Sequence, residues 1–160
     1  MNGITQAGAV AGAVGCGVAG GVFFAFSSFV MGALRRLPDA EGIAAMQSVN
    51  RQAVTPVFMA ALFGTAVLCV VLAVWALRSR TAPASGWVLA GSLLYLVGAI
   101  GVTAVRNVPL NDALAALDPA APSSAGRWHA YVRDWTRWNH VRAVASAGAA
   151  VAMTVGVRVG

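Results

Sequence analysis

Two short stretches of this sequence hold most of the side chains able to grip or polarise a substrate. Thr103–Asp112 (TAVRNVPLND) and Trp128–Arg142 (WHAYVRDWTRWNHVR) gather Asn, Arg, His and large aromatics at the edges of long apolar runs. Asn139 and Arg142 stand three apart and Trp135 and Asn139 four apart, so on a helix they share a face. Trp138 and Arg142 have the i, i+4 spacing of a cation–π pair. Asn107 and Asn111 repeat that spacing in the other stretch. Amide donors and a guanidinium converging on one point would stabilise an enolate or phenolate oxygen, as an oxyanion hole does. The same residues would equally cap helices and hydrogen-bond between them. The sequence leaves both readings open.

Only two histidines exist, His129 and His140. With Asp112 or Asp134 they would make a sparse metal site, and alone they would be haem ligands. The competing expectation is a surface His129 and a hydrogen-bonded His140. Cys16 and Cys69 lie in apolar segments without metal-ligand spacing and read as small buried hydrophobes. Glycine-rich phosphate loops, paired-Cys motifs, HExxH and GxSxG are all missing.

Composition defines the solvent in which these residues work. Of 160 residues, 59% are hydrophobic and 10% charged, and mean hydropathy is +0.74. Soluble domains carry about 25% charged residues, so the chain is expected in a bilayer as one compact unit. The net charge of +6 comes with eleven basic residues, all Arg, placed mainly at the ends of apolar runs. There positive charge meets lipid headgroups. No basic run or aromatic ladder suggests nucleic acid.

The expected fold is all-α, a transmembrane four-helix bundle with an interfacial helical segment before the last span. The spans are placed at about 4–34, 54–77, 87–106 and 139–158 of a single domain. Met1–Leu34 lacks any charged side chain and is longer than a signal-peptide core, so it reads as a retained span. In it Gly8, Gly12, Cys16 and Gly20 form a ridge of small residues, flanked by Gly17 and Gly21, that would let another helix approach closely. Phe23, Phe24, Phe26 and Phe29 then pack the bundle or wall a pocket. Asp39 reads as an N-cap. Ile43, Met46, Gln47, Asn50 and Val54 line one helical face. Thr55 as cap with Pro56 at the first position would start a fresh helix, or Pro56 would kink a long one. A short loop after Arg80 makes the second and third spans antiparallel neighbours, with Trp87 as interfacial anchor. Pro109 is expected to end the third span at Arg106-Asn107, followed by a short helix over 112–117 and a loop over 118–126.

Trp128, Tyr131, Trp135 and Trp138 form an aromatic stripe along one helix, as in an interfacial belt. Between Arg142 and Arg158 lie only fifteen uncharged residues, about 22 Å of helix. That is too short for a ~30 Å hydrocarbon core. Either Arg158 snorkels or the segment with Asn139, His140 and Arg142 descends into the bundle, and an ionisable group at that depth points to function. Counting Arg residues puts the first and third loops in the cytoplasm.

Four segments, Gly21–Ser28 (GVFFAFSS), Ala45–Asn50 (AMQSVN), Asn107–Asn111 (NVPLN) and Trp135–Arg142 (WTRWNHVR), together resemble the anthrone-oxygenase-like family of small four-span membrane proteins. The resemblance runs the length of the chain. It implies oxidation of a lipophilic aromatic or polyketide substrate by molecular oxygen. It marks Asn50, Asn107, Asn111, Trp135, Asn139, His140 and Arg142 as positions of interest, and a bacterial cytoplasmic membrane as the location. The expected roles are His140 as base, directly or through water, with Asn139, Arg142, Asn107 and Asn111 on the enolate oxygen. Gln47, Asn50, Trp128, Trp135, Trp138 and Phe24 would contact the substrate. No cofactor motif is evident; haem or a metal through His140 or His129 stays open. The alternative is a non-enzymatic bundle that binds a hydrophobic ligand, haem or metal, or a partner protein.

Overall fold

The computed structural model describes all of residues 1–160 as five helices without strands. They are α1 (Gly3–Leu34), α2 (Asp39–Gln52), α3 (Pro56–Arg78), α4 (Ser85–Ala115) and α5 (Ser124–Val159). All but α2 are long and apolar enough to cross a membrane. Their outer faces expose Val14, Val67, Val71, Val144 and Val151, each more than half accessible. In water such a surface would be untenable; in lipid it is the favourable one, since the tails are as apolar as the side chains.

Helix starts follow local chemistry. Asn2 caps α1 by accepting from the Thr5 N–H at 2.9 Å. Thr55 caps α3 ahead of Pro56, so α3 begins afresh and is no kinked continuation of α2. Asp39 does not cap α2: it is the first helical residue after Pro38 and pairs instead with His129 at 2.9 Å.

Pro109 does not end α4 either. The helix absorbs it through π-helical turns at Leu94–Gly101 and Thr103–Asn107 and continues to Ala115. The Val108 N–H reaches back five residues to the Thr103 carbonyl. Widening the turn before proline removes the clash that a regular turn would meet. The helix expected over 112–117 is therefore largely the tail of α4. A π turn also interrupts α1 at Phe26–Val30.

The aromatic stripe and the last span form one 36-residue helix, α5. At 1.5 Å per residue it is about 54 Å long, against a ~30 Å hydrocarbon core. If its C-terminal part fills the core, the Trp128–Trp138 part stands at headgroup level, where α2 packs against it and against the end of α4. Here Ile43, Met46, Leu114, Trp128, Tyr131 and Trp135 belong to a separate apolar cluster. Gly42 lies beneath the Trp128 ring, where a Cβ would come within 2.9 Å of Cζ2.

Between the spans the main core joins Cys16, Leu62, Cys69, Tyr95, Ala149 and Met153. Backbones approach closely at small residues. A Cβ on Gly12 would meet Met153 Sδ at 2.8 Å, and one on Gly20 would meet Ser146 Cβ at 3.1 Å. Gly17 and Gly21 face open space, so only one side of the small-residue ridge is used for packing. At the far end the Met1 amino group donates to the Gly160 carbonyl at 2.9 Å.

Candidate functional site

Arg142 sits where α5 passes from the headgroup level into the bundle, and only 6% of it is exposed. No carboxylate neutralises it. Its NH2 donates to Asn139 Oδ1 at 2.7 Å and its NH1 to Thr103 Oγ1 at 3.2 Å. The guanidinium carbon stands 4.3 Å from the centre of the Phe23 ring and 5.1 Å from that of Trp135. Aromatic faces and neutral oxygens thus replace a counter-ion. Nε is buried without a partner.

Each neighbour is itself held. Asn139 spends its amide N–H groups on the Phe23 carbonyl and Ser27 Oγ, both at 2.7 Å. With Oδ1 given to Arg142, it is fully committed and acts as a positioning residue. The Thr103 hydroxyl donates to the Ala99 carbonyl at 2.7 Å, which leaves its oxygen lone pairs to Arg142. The Asn107 amide donates to the Trp135 carbonyl at 3.3 Å, while its buried Oδ1 has no partner. Asn111 Oδ1 accepts from both Trp135 Nε1 at 2.8 Å and Tyr131 Oη at 2.9 Å. An indole N–H can only donate, so this contact fixes the amide orientation and leaves the Asn111 NH₂ without a protein acceptor.

These groups border a cavity of about 230 Å³. Phe23, Phe26, Val49, Phe58 and Leu62 give it apolar walls, and Asn50, Thr103, Asn111, Asn139 and Arg142 are its polar members. Asn50 Nδ2 is buried without a partner. The polar atoms of these lining residues that have no protein partner are Arg142 Nε, the Asn111 NH₂ and the Asn50 carboxamide, so donors outnumber the single free acceptor, Asn50 Oδ1. No carboxylate or imidazole lines the cavity. Such a space suits a flat apolar molecule carrying an electron-rich oxygen; ~150 Å³ already holds benzene.

The sequence-predicted residues separate into distinct places. Arg142, Asn139, Asn111, Asn50 and Trp135 line the cavity, and Asn107 supports it through the Trp135 carbonyl. His140 is exposed and lies in another groove with His129, on the opposite side of α5. His129 pairs with Asp39, but no group of three His, Cys, Asp or Glu is gathered around either imidazole. Phe24 points outward at 64% exposure; Phe23 and Phe26 hold the positions expected of it. Trp138 does not stack on Arg142; it carries Arg106 at 4.7 Å and Arg137 at 5.9 Å. Trp128 is fully buried under α2, away from the cavity. Gln47 ties α2 to α4 by donating to the Leu114 and Leu117 carbonyls at 2.9 and 3.0 Å. Thr103 is not marked by the sequence, and Tyr131 is marked only as part of the aromatic stripe, although each lies four residues before a site position, Asn107 and Trp135 respectively.

Comparison with curated proteins and with solved structures returns no match. The profile of the anthrone oxygenase family matches residues 55–152, which include Asn107, Asn111, Trp135, Asn139 and Arg142 but neither α1 nor α2. That match spans more than half of the chain, which carries four helices long and apolar enough to cross a membrane, and it makes this protein a member of the anthrone oxygenase family.

Proposed function

We propose that the protein is a membrane oxygenase that uses molecular oxygen to convert a lipophilic aromatic ketone bearing an acidic C–H, such as an anthrone, into a quinone. The observation that carries this reading is the buried Arg142, uncompensated by a carboxylate and bordering an apolar cavity beside two free amides. In a low-dielectric site such donors favour the enolate over the ketone far more than water does.

Arg142 and the amides of Asn111 and Asn50 hold the substrate oxygen as it gains negative charge. Asn139 and Thr103 fix the guanidinium, and Phe23, Phe26 and Trp135 flank the rings. The C–H proton leaves to water at the headgroup level, since no basic side chain borders the cavity. The electron-rich carbon bonds to oxygen, and protonation gives a hydroperoxide. Loss of the second hydrogen of that carbon as a proton, with cleavage of the O–O bond, yields the new carbonyl and water. One ketone and one O₂ thus give one quinone and one H₂O. No step falls to His140.

The test is oxygen uptake and quinone absorbance with anthrone and the detergent-purified protein. Turnover above the spontaneous rate is expected, and Arg142→Ala should lower it by about 10²–10³-fold, as loss of an oxyanion donor does. Oxidation no faster than background in the parent protein overturns the proposal. Saturable anthrone binding without turnover would leave a bundle that carries hydrophobic ligands.

A further inference from the structure

α1 and α5 form a second concavity on the side that carries His140. It encloses about 740 Å³, and only two of its eleven lining residues are apolar, in a chain that is 59% hydrophobic. Arg35, His129, Arg133, Arg137 and His140 line it, and no carboxylate does. His129 is taken by Asp39 and Arg133 by Asp134, each at 2.9 Å. Arg35 and His140 have no ion-pair or hydrogen-bond partner, and Arg137, without an ion pair, has the Trp138 ring at 5.9 Å and the more distant Asp134 carboxylate that Arg133 already holds. The lining hydroxyl of Thr136 is shut off from solvent, also without a partner. Gly32 leaves the floor open: a Cβ there would meet no atom within 4 Å.

The height of the groove indicates its occupant. Ser27 to Arg35 close the first span, and His129, Arg133, Arg137 and His140 follow one another along the N-terminal half of α5, which reaches headgroup level when the C-terminal half fills the hydrocarbon. Unpaired guanidinium groups at this level face the phosphates of the membrane surface. Their planar forks match two phosphate oxygens at once. We propose that this groove is a binding site for a phosphate-bearing anion, with Arg35 and Arg137 as its charged ligands and the His140 ring as a further hydrogen-bonding group. The site is distinct from the cavity at Arg142, but Ser27 belongs to its wall and also accepts from Asn139 at 2.7 Å.

Titration of the detergent-purified protein with short-chain phosphatidylglycerol, phosphatidylcholine and inorganic phosphate tests the site and identifies its source. Saturable binding of one phosphatidylglycerol per chain is expected, with phosphatidylcholine at least about tenfold weaker. Equal affinity for inorganic phosphate would assign a soluble phosphate; preference for the lipid would assign a headgroup. Arg35→Gln should weaken binding about fivefold, and Arg35→Gln with Arg137→Gln about thirtyfold. Gly32→Phe fills the groove with every charge kept; it should abolish binding at an unchanged unfolding midpoint. Arg36→Gln, outside the groove, should change affinity less than about twofold. The proposal is overturned if neither phosphatidylglycerol nor phosphate binds, if Gly32→Phe leaves binding intact, or if Arg36→Gln costs as much as Arg35→Gln.

Discussion

The Asn111 carboxamide oxygen receives two hydrogen bonds, from Trp135 at 2.8 Å and Tyr131 at 2.9 Å, and its NH₂ is left at the cavity. Two substitutions separate those duties. Asn111→Leu orphans both donors, at about 1–3 kcal/mol each, and should lower the thermal unfolding midpoint measurably. Asn111→Asp keeps the acceptor but turns a carboxylate toward the enolate of the proposed reaction. It should unfold near the parental midpoint and lose at least about tenfold in anthrone turnover, because like charge then replaces a donor. An Asp variant as active as the parent would remove Asn111 from the site. Spacing made much of this group readable in advance: Trp135, Asn139 and Arg142 share a face by i, i+3 and i+4 steps. The same geometry argues against His140, since a residue adjacent to Asn139 lies about 100° around the helix. Phe23 and Ser27 owe their roles to facing another helix more than a hundred positions away in sequence; locally they are marked only as part of a Phe- and Ser-rich stretch, not as partners of Asn139.

Hydropathy made all four long helices legible among the elements, because lipid demands continuous apolar runs with internally paired backbones. Pro109 misled, because proline disfavours a regular helix before it, whereas a π turn can take up the missing N–H. The small-residue ridge was half legible: period four shows that a helix can be approached closely, but not on which side. The structure supplies that difference. A Cβ on Gly98 of α4 would overlap the Cβ of Ala145 on α5, and one on Gly17 of α1 would meet nothing. Gly98→Ala should therefore destabilise the protein by about 1–3 kcal/mol through overpacking. Gly17→Ala should be neutral or slightly stabilising, since alanine is the better helix former. Unfolding midpoints in one detergent check the pair, and equal effects would contradict the packing of α4 on α5.

At the scale of the molecule, polarity is distributed by height as well as by depth. Lipid-facing valines surround the spans, the arginine cavity lies near one rim, and α2 covers that rim beside the aromatic part of α5. The opposite rim is plain: it holds the turn between α3 and α4 and the pair Met1–Gly160, joined at 2.9 Å. A ring of four spans whose ends touch has no privileged starting helix. A few glycines fused between Gly160 and Met1, with the chain reopened between Ser79 and Ser85, should give a cyclically reordered protein (α4, α5, α1, α2, α3). It should insert in membranes, unfold at nearly the parental temperature and oxidise anthrone at the parental rate under the proposed function, because no cavity residue is disturbed. Reopening between Ala53 and Thr55 breaks the cavity wall at Val54, and should cost the proposed turnover even where the protein still inserts. Gene order and spatial order are then separable, and a split form assembled from two helical pairs becomes a natural design.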